Sequence, residues 1–194
     1  MPDHSAFPNE IFGFNFTEYL TIFVALIFAL AVGEFFLSLG NLIRHRQKIK
    51  VYWEYILWLF VILDFFIIAW YTGWPRLEYL ELSLLNYFII LSPYLIIFVI
   101  VAVYLPDTHT EGEIDLKKHF QDHRKSFFLL WAAYLLVNDL IDIFIPTVFQ
   151  TFAIILESAY VVMLLTAAFY DKVWYRSLLA LIMLGDMISA LFAI

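Results

Sequence analysis

The sequence predicts an all-α, polytopic membrane protein built as a bundle of six transmembrane helices. Apolar residues make up 64% of the chain, and its mean hydropathy is +0.86, whereas roughly half of the residues in a soluble domain are apolar. The apolar residues form long continuous runs, and a helix needs roughly 20 such residues to cross a bilayer. A transmembrane β-barrel is excluded because its strands would alternate in polarity over about ten residues.

The apolar runs fill most of the 194 residues, which leaves no room for a separate soluble domain. We therefore treat 1–194 as a single transmembrane domain. Its predicted spans are about 17–43, 51–73, 83–105, 127–147, 149–170 and 174–194.

The first three spans begin or end at recognisable signals. Asn15 and Glu18 have the spacing of a helix cap before the first span, and the basic segment 44–50 follows its end. Pro75 and Pro106 follow the second and third spans, where a proline is expected to end the helix.

The last three spans follow a longer polar segment, 107–126. We predict this segment to be a cytoplasmic connector that holds a short interfacial helix, with Leu116 and Phe120 on its apolar face. A short connector without Lys or Arg joins the fourth and fifth spans. The sixth span begins at Trp174, a residue type that anchors span ends at the membrane surface.

The distribution of basic residues predicts the topology. Of the 11 Lys and Arg residues, all but Arg76 lie in the first, third and fifth connectors. They are Arg44, Arg46, Lys48, Lys50, Lys117, Lys118, Arg124, Lys125, Lys172 and Arg176. Because basic residues near span ends are retained in the cytoplasm, we predict a multi-pass protein of the plasma (inner) membrane, N-out/C-out, with both termini outside.

This topology gives the two halves of the chain, three spans each, opposite orientations. Inverted repeats in transporters have that arrangement. The residues of the two halves correspond poorly, so a 3+3 inverted repeat is left as an open alternative.

Six acidic residues lie within the predicted spans: Glu34, Asp64, Asp139, Asp142, Glu157 and Asp186. We count Arg176 with the fifth connector, so no Lys, Arg or His in the spans neutralises them. Each ionised side chain in hydrocarbon costs roughly 2.5 to 3.5 kcal/mol unless it lines water, shares a proton or binds a cation. At about 1.5 Å per residue, four of the acids fall near the midplane, and Asp142 and Glu157 lie further out. We therefore expect a central acidic cluster with an outward path.

Other polar residues follow the acids at helical spacing and are expected to line the same cavity. They are Ser38 and Asn41 on the first span, Asn138 on the fourth and Ser189 on the sixth, with Glu54 at the inner mouth of the second. On the third span, Ser92 precedes Pro93. That proline removes a backbone donor and frees the carbonyl of Ile89, which would suit a cation.

A weaker candidate for a metal site lies in the connector 107–126. His119 and His123 are one helical turn apart, and Asp115 lies one turn before His119. Such a set could hold a divalent metal or titrate near neutral pH. The simpler interpretation is a solvated linker helix, because this spacing alone is weakly specific.

The buried acids favour one function, a carrier or channel that translocates a proton or a small cation through the carboxylate cluster. The alternative is a non-transporting membrane subunit or scaffold whose acids are protonated and form hydrogen bonds between helices. We expect no enzymatic activity and no cofactor, since the chain has no Cys and the spans lack His pairs for haem. We expect no binding of nucleic acid, because the exterior is nearly neutral once the six acids in the spans are discounted. The predicted partners are the lipid bilayer and the ion, and a homo-oligomer would allow several copies to form one pore.

Overall fold

The computed structural model describes residues 10–11, 14–78, 84–107, 112–144 and 151–193, and side chains within 18–71, 87–107, 112–143 and 154–189. The all-α prediction is confirmed: the described residues form six helices, α1 (Phe16–Arg44), α2 (Trp53–Glu78), α3 (Leu84–Tyr104), α4 (Leu116–Phe144), α5 (Thr151–Phe169) and α6 (Val173–Ala193). Four short strands accompany them, β1 (Glu10–Ile11), β2 (Phe14–Asn15), β3 (Ile49–Lys50) and β4 (Ile114–Asp115).

Four of the described helices are long and apolar enough to cross a membrane. They are Glu18–Arg44, Trp53–Tyr71, Tyr87–Tyr104 and Leu116–Ile143, and Ile154–Phe169 is a shorter apolar helix.

Two helix boundaries differ from the prediction. The expected interfacial helix is instead the first part of α4, which runs without interruption from Leu116. Its start is set by Asp115, whose Oδ1 accepts a hydrogen bond from the backbone N–H of Lys118 at 3.0 Å, as an N-terminal cap does. Phe120, like Leu116, is buried in the core. At the other boundary, α2 continues to Glu78 past Pro75, because a proline removes only one backbone donor and the helix can adjust around it.

The helices pack in a defined order of neighbours. α3 packs against both α1 and α4, α4 packs closely against α5, and α2 packs against α6. Large aromatic side chains fill the space between α2 and α4. The ring centroid of Trp58 lies 5.4 Å from that of Phe127 and 5.0 Å from that of Phe128, and the ring of Phe65 lies 4.6 Å from that of Trp131. We call these five residues the aromatic layer.

The first, third and fifth connectors meet at one end of the bundle, which we call the basic end. β3 of the first connector pairs in parallel with β4 of the third, and Lys50 Nζ lies 2.8 Å from Glu113 Oε2 beside that pairing. Arg124 in the first half of α4 forms an ion pair with Asp171 in the connector between α5 and α6. Connectors on the same side of a membrane lie at the same end of a helix bundle. The proximity of these three connectors is therefore compatible with the predicted alternation of basic connectors.

Candidate functional site

A fully buried ion pair lies at the basic end. Glu54 is in the first turn of α2 and Arg176 is in the first turn of α6, and these two helices pack together. Arg176 Nε donates to Glu54 Oε1 at 2.6 Å and Arg176 Nη2 donates to Glu54 Oε2 at 3.1 Å. Both side chains are 0% exposed. The guanidinium and the carboxylate therefore meet through two parallel hydrogen bonds, the strongest geometry for this pair.

Four further side chains complete this network. Arg176 Nη1 donates to Asp171 Oδ1 at 2.8 Å, which links α6 through Asp171 to Arg124 of α4. The hydroxyl of Tyr52 donates to Glu54 Oε2, and the guanidinium carbon of Arg176 lies 5.8 Å from the ring centroid of Phe120. Glu54 thus accepts bonds from Arg176 and Tyr52, and Arg176 donates from Nε, Nη1 and Nη2.

The network shifts the pKa of two groups that lie in its connectors. The hydrogen bond from Arg176 lowers the pKa of Asp171 below its usual value, and Arg124 adds to this effect. Burial, followed by the hydrogen bond to Glu54, raises the pKa of Tyr52 to about 12. At neutral pH, Asp171 is therefore ionised and Tyr52 keeps its proton as a donor.

The assignment of Arg176 to a connector was wrong. The residue lies inside α6 and is buried, and it neutralises Glu54, which we had expected at an open inner mouth. A sequence signal for this pair did exist, because Glu54 and Arg176 each lie near the first residue of a predicted span at the same membrane surface. Tyr52, Asp171 and Arg124 gave no such signal, since polar residues in connectors are usually solvated.

A pair of tyrosines joins α2 to α3 next to this network. The hydroxyl of Tyr55 donates to the carbonyl of Tyr104 at 3.0 Å, and the hydroxyl of Tyr104 donates to the carbonyl of Tyr55 at 2.5 Å. Their rings stack with centroids 4.5 Å apart. His119 Nε2 donates to the same carbonyl of Tyr104 at 2.9 Å, which ties the start of α4 to this pair.

The weak metal candidate is not supported by its geometry. His123 Nδ1 donates to the carbonyl of His119 at 3.0 Å, and Asp115 caps α4, so these side chains bind backbone groups. Within the described ranges, no three His, Cys, Asp or Glu side chains form a group that could hold a metal ion.

Two of the six acids meet between α4 and α5. Asp139 is 6% exposed, and its side chain lies beside those of Glu157 and Ser158 on α5, while its Oδ1 has no hydrogen-bond partner among the described residues. Asp142, one turn further along α4, is also buried. A hydrogen bond between two carboxyl groups requires a proton on one of them. In a site of low dielectric constant, two carboxylates in contact also cannot both ionise.

Of the other three acids, Asp186 is linked through Tyr160 to α5 one turn from Glu157, whereas Asp64 lies on α2 and Glu34 on α1. Asp64 follows Glu54 by ten residues and Asp186 follows Arg176 by ten, so each is roughly 15 Å from the basic end. Asp64 is half-buried, and its Oδ2 has no hydrogen-bond partner among the described residues. Asp186 hydrogen bonds with the hydroxyl of Tyr160 on α5. Glu34 lies on an exposed face of α1 and accepts a hydrogen bond from Ser38 at 3.1 Å.

The expectation of one central cluster is wrong for Glu34, and the other acids differ in depth. Position along the chain fixes the depth of an acid but not the direction in which its side chain points, and Glu34 points away from the bundle. In addition, Asp139 lies about 22 Å along α4 from Arg124, so it is deeper than Asp64 and Asp186.

Most of the predicted cavity-lining groups bond to their own helix. Asn138 Nδ2 donates to the carbonyl of Tyr134 at 2.9 Å, and Ser189 Oγ donates to that of Asp186 at 2.6 Å. Asn41 is half-buried near the end of α1, and Pro93 is buried within α3. Ser92 Oγ donates to the carbonyl of Ile89 at 2.6 Å. That hydroxyl takes the place of the missing donor of Pro93, so the carbonyl is not left for a cation.

No protein-family model, curated protein or solved structure matches this chain. The fold and the placement of the acids are therefore the basis for a functional conclusion.

Proposed function

We propose that this protein is a membrane carrier that translocates protons, and that Asp139 and Glu157 form its proton-binding pair. The observation that supports this proposal is their contact between α4 and α5, where Asp139 is buried and Glu157 is half-buried. Two carboxyl groups that share a proton form a site that can gain or lose charge with little rearrangement of atoms. A proton is favoured over a metal cation because, in the described residues, no group of three acidic or His side chains could ligate one.

The proposal places the protein in the plasma (inner) membrane with both termini outside. The support is the concentration of basic residues in three connectors that meet at one end of the bundle, since such residues are retained in the cytoplasm. In this orientation the basic end is cytoplasmic. Asp139 of the carboxyl pair then lies about 22 Å from the basic end along α4, and Asp142 lies one further turn toward the outer surface.

The aromatic layer favours a carrier over a permanently open channel. Its five side chains are all buried and fill the space between α2 and α4, and its α4 residues are nearer the basic end than Asp139 is. A proton would reach the pair from the outer surface by way of Asp142. Its release on the cytoplasmic side would require α4 and α5 to shift against the aromatic layer.

Proton flux into proteoliposomes tests the proposal. Purified protein is reconstituted with a pH-sensitive dye inside the vesicles, and a membrane potential is applied. We expect flux above that of protein-free vesicles, and we expect Asp139→Asn and Glu157→Gln each to abolish it. Asp122→Asn is the matched control, because Asp122 is an exposed acid on the same helix, and its flux should equal that of the wild type. Wild-type flux at the level of protein-free vesicles would refute the proposal, as would full flux in Asp139→Asn.

A second candidate function is a non-transporting membrane subunit whose acids hold helices together. One observation favours it: the side chain of Asp186 on α6 lies against the hydroxyl of Tyr160 on α5. Hydrogen bonds of this kind between helices contribute roughly 0.6 to 2 kcal/mol each. Under this alternative the vesicles show no proton flux with any variant, and Asp139→Asn only lowers the stability of the α4–α5 contact.

A further inference from the structure

The outer face of α1 carries a heptad repeat that is largely exposed, although the ring of Phe23 lies 6.0 Å from that of Tyr87 on α3. Phe23, Leu30 and Leu37 recur every seven residues, and so do Glu34 and Asn41. Leu30 and Leu37 are 63% and 69% exposed, and Glu34 is exposed between them. Hydrophobic positions that recur at an average of 3.5 residues are the pattern by which two helices pack along a shared seam. We call these five residues the α1 seam.

Glu34 makes this face unsuited to lipid alone. It lies ten residues, or roughly 15 Å, from Arg44 at the basic end of α1, inside an apolar helix long enough to cross a membrane. An acidic side chain at such a depth normally faces the interior of a bundle or pairs with another polar group. Here it faces outward and accepts a hydrogen bond from Ser38 of the same helix, and a partner that brings a hydrogen-bonding group to the same depth would satisfy the rest of the carboxyl group.

We propose that the α1 seam is the interface of a parallel homodimer, in which Glu34 of one copy hydrogen bonds with Glu34 of the second. Copies of one chain insert into a membrane with the same orientation, so a two-fold axis along the membrane normal brings the same residue of each copy to the same depth. A protonated carboxyl group has one donor and one acceptor, so two of them satisfy each other across that axis.

The local structure of α1 permits close approach at this seam. A Cβ added at Gly33 or at Gly40 would meet no atom within 4 Å, so two backbones can come together beside Glu34. Small residues at helix interfaces in membranes have this role. Asn41, one heptad after Glu34, supplies a second polar group that fixes the register of the two helices. This interface is independent of the proposed proton pathway, which lies between α4 and α5.

Disulfide cross-linking in native membranes tests the interface cleanly, because the chain has no cysteine of its own. Leu30→Cys and Leu37→Cys place single thiols on the seam, and Leu181→Cys on α6 is a matched control because Leu181 is 56% exposed. We expect mild oxidation to convert the first two variants into disulfide-linked dimers and to leave Leu181→Cys monomeric. Equal cross-linking of all three variants would overturn the proposal. It would also be overturned by the absence of dimers, or by cross-links only to a different protein.

A second measurement isolates the role of Glu34. In the cysteine-free protein, the dimer dissociation constant in detergent micelles is compared for the wild type, Glu34→Gln and Glu34→Leu. Glutamine keeps a donor and an acceptor, so its dimer should be close to that of the wild type. Leucine keeps the apolar seam but removes the hydrogen bonds, and we expect dimerisation about 3- to 30-fold weaker. If Glu34→Leu dimerised as tightly as the wild type, this result would contradict the proposed hydrogen bond between the two copies of Glu34.

Discussion

Breaking the buried ion pair of Glu54 and Arg176 should destabilise the protein more than any change on its surface. The substitution Arg176→Gln removes a guanidinium that makes two hydrogen bonds to Glu54, at 2.6 and 3.1 Å. Each hydrogen bond to a charged group contributes about 1.5 to 3 kcal/mol, so the loss is about 3 to 6 kcal/mol. The cost of about 3 to 5 kcal/mol for stranding one member of a buried pair agrees with this range.

The assay is equilibrium unfolding in mixed micelles, with a denaturing detergent as the titrant and fluorescence of the six tryptophans as the signal. We expect Arg176→Gln to raise the unfolding equilibrium constant by roughly two to just over four orders of magnitude. Lys50→Gln is the control, since Lys50 and Glu113 form an ion pair that is 60% and 56% exposed, and such a pair adds little to stability.

A double variant shows whether the pair itself is responsible. Replacement of both members, Glu54→Leu with Arg176→Met, leaves no buried charge unpaired, so it should destabilise the protein less than either single substitution. The reasoning would be refuted if Arg176→Gln unfolded at the same midpoint as Lys50→Gln. An effect of the double variant equal to the sum of the two single effects would refute it as well.

Three further changes have predicted outcomes. Tyr104→Phe removes the hydroxyl that bonds to the carbonyl of Tyr55 and should cost about 1 kcal/mol in the same unfolding assay; an unchanged midpoint would contradict that bond. Trp131→Ala leaves a cavity in the aromatic layer and should cost about 3 kcal/mol, and a loss as small as that of Tyr104→Phe would show that the layer is loosely packed. The lowered pKa of Asp171 means that its ion pairs are present above pH 3.8, its ordinary value, and are lost as the pH falls below it. Asp171→Asn should therefore remove part of the acid sensitivity of unfolding, and identical acid profiles would contradict this.

The helices could be predicted because long apolar runs have few other stable structures in a membrane. The start of α4 was missed because segment 107–126 contains enough charge to resemble a solvated connector. The deciding feature was local: Asp115 caps the helix, and Leu116 and Phe120 bury their side chains against the core.

The candidate site was only partly predictable. The sequence places Asp139 near the midplane and Glu157 further out, and their contact depends on α4 and α5 being neighbours. The order in which helices pack is not readable from hydropathy. The same limit applies to Glu34, since the rotation of α1 about its axis is set by its contacts with α3 and not by its own residues.

The most direct test of the shared proton is infrared difference spectroscopy of the protein at neutral pH. The account predicts a C=O stretching band of a protonated carboxyl group that shifts in heavy water. This band should be displaced in both Asp139→Asn and Glu157→Gln but unchanged in Asp122→Asn. Identical protonated-carboxyl bands in the wild type and in both pair variants would contradict the claim that these two side chains hold a proton between them.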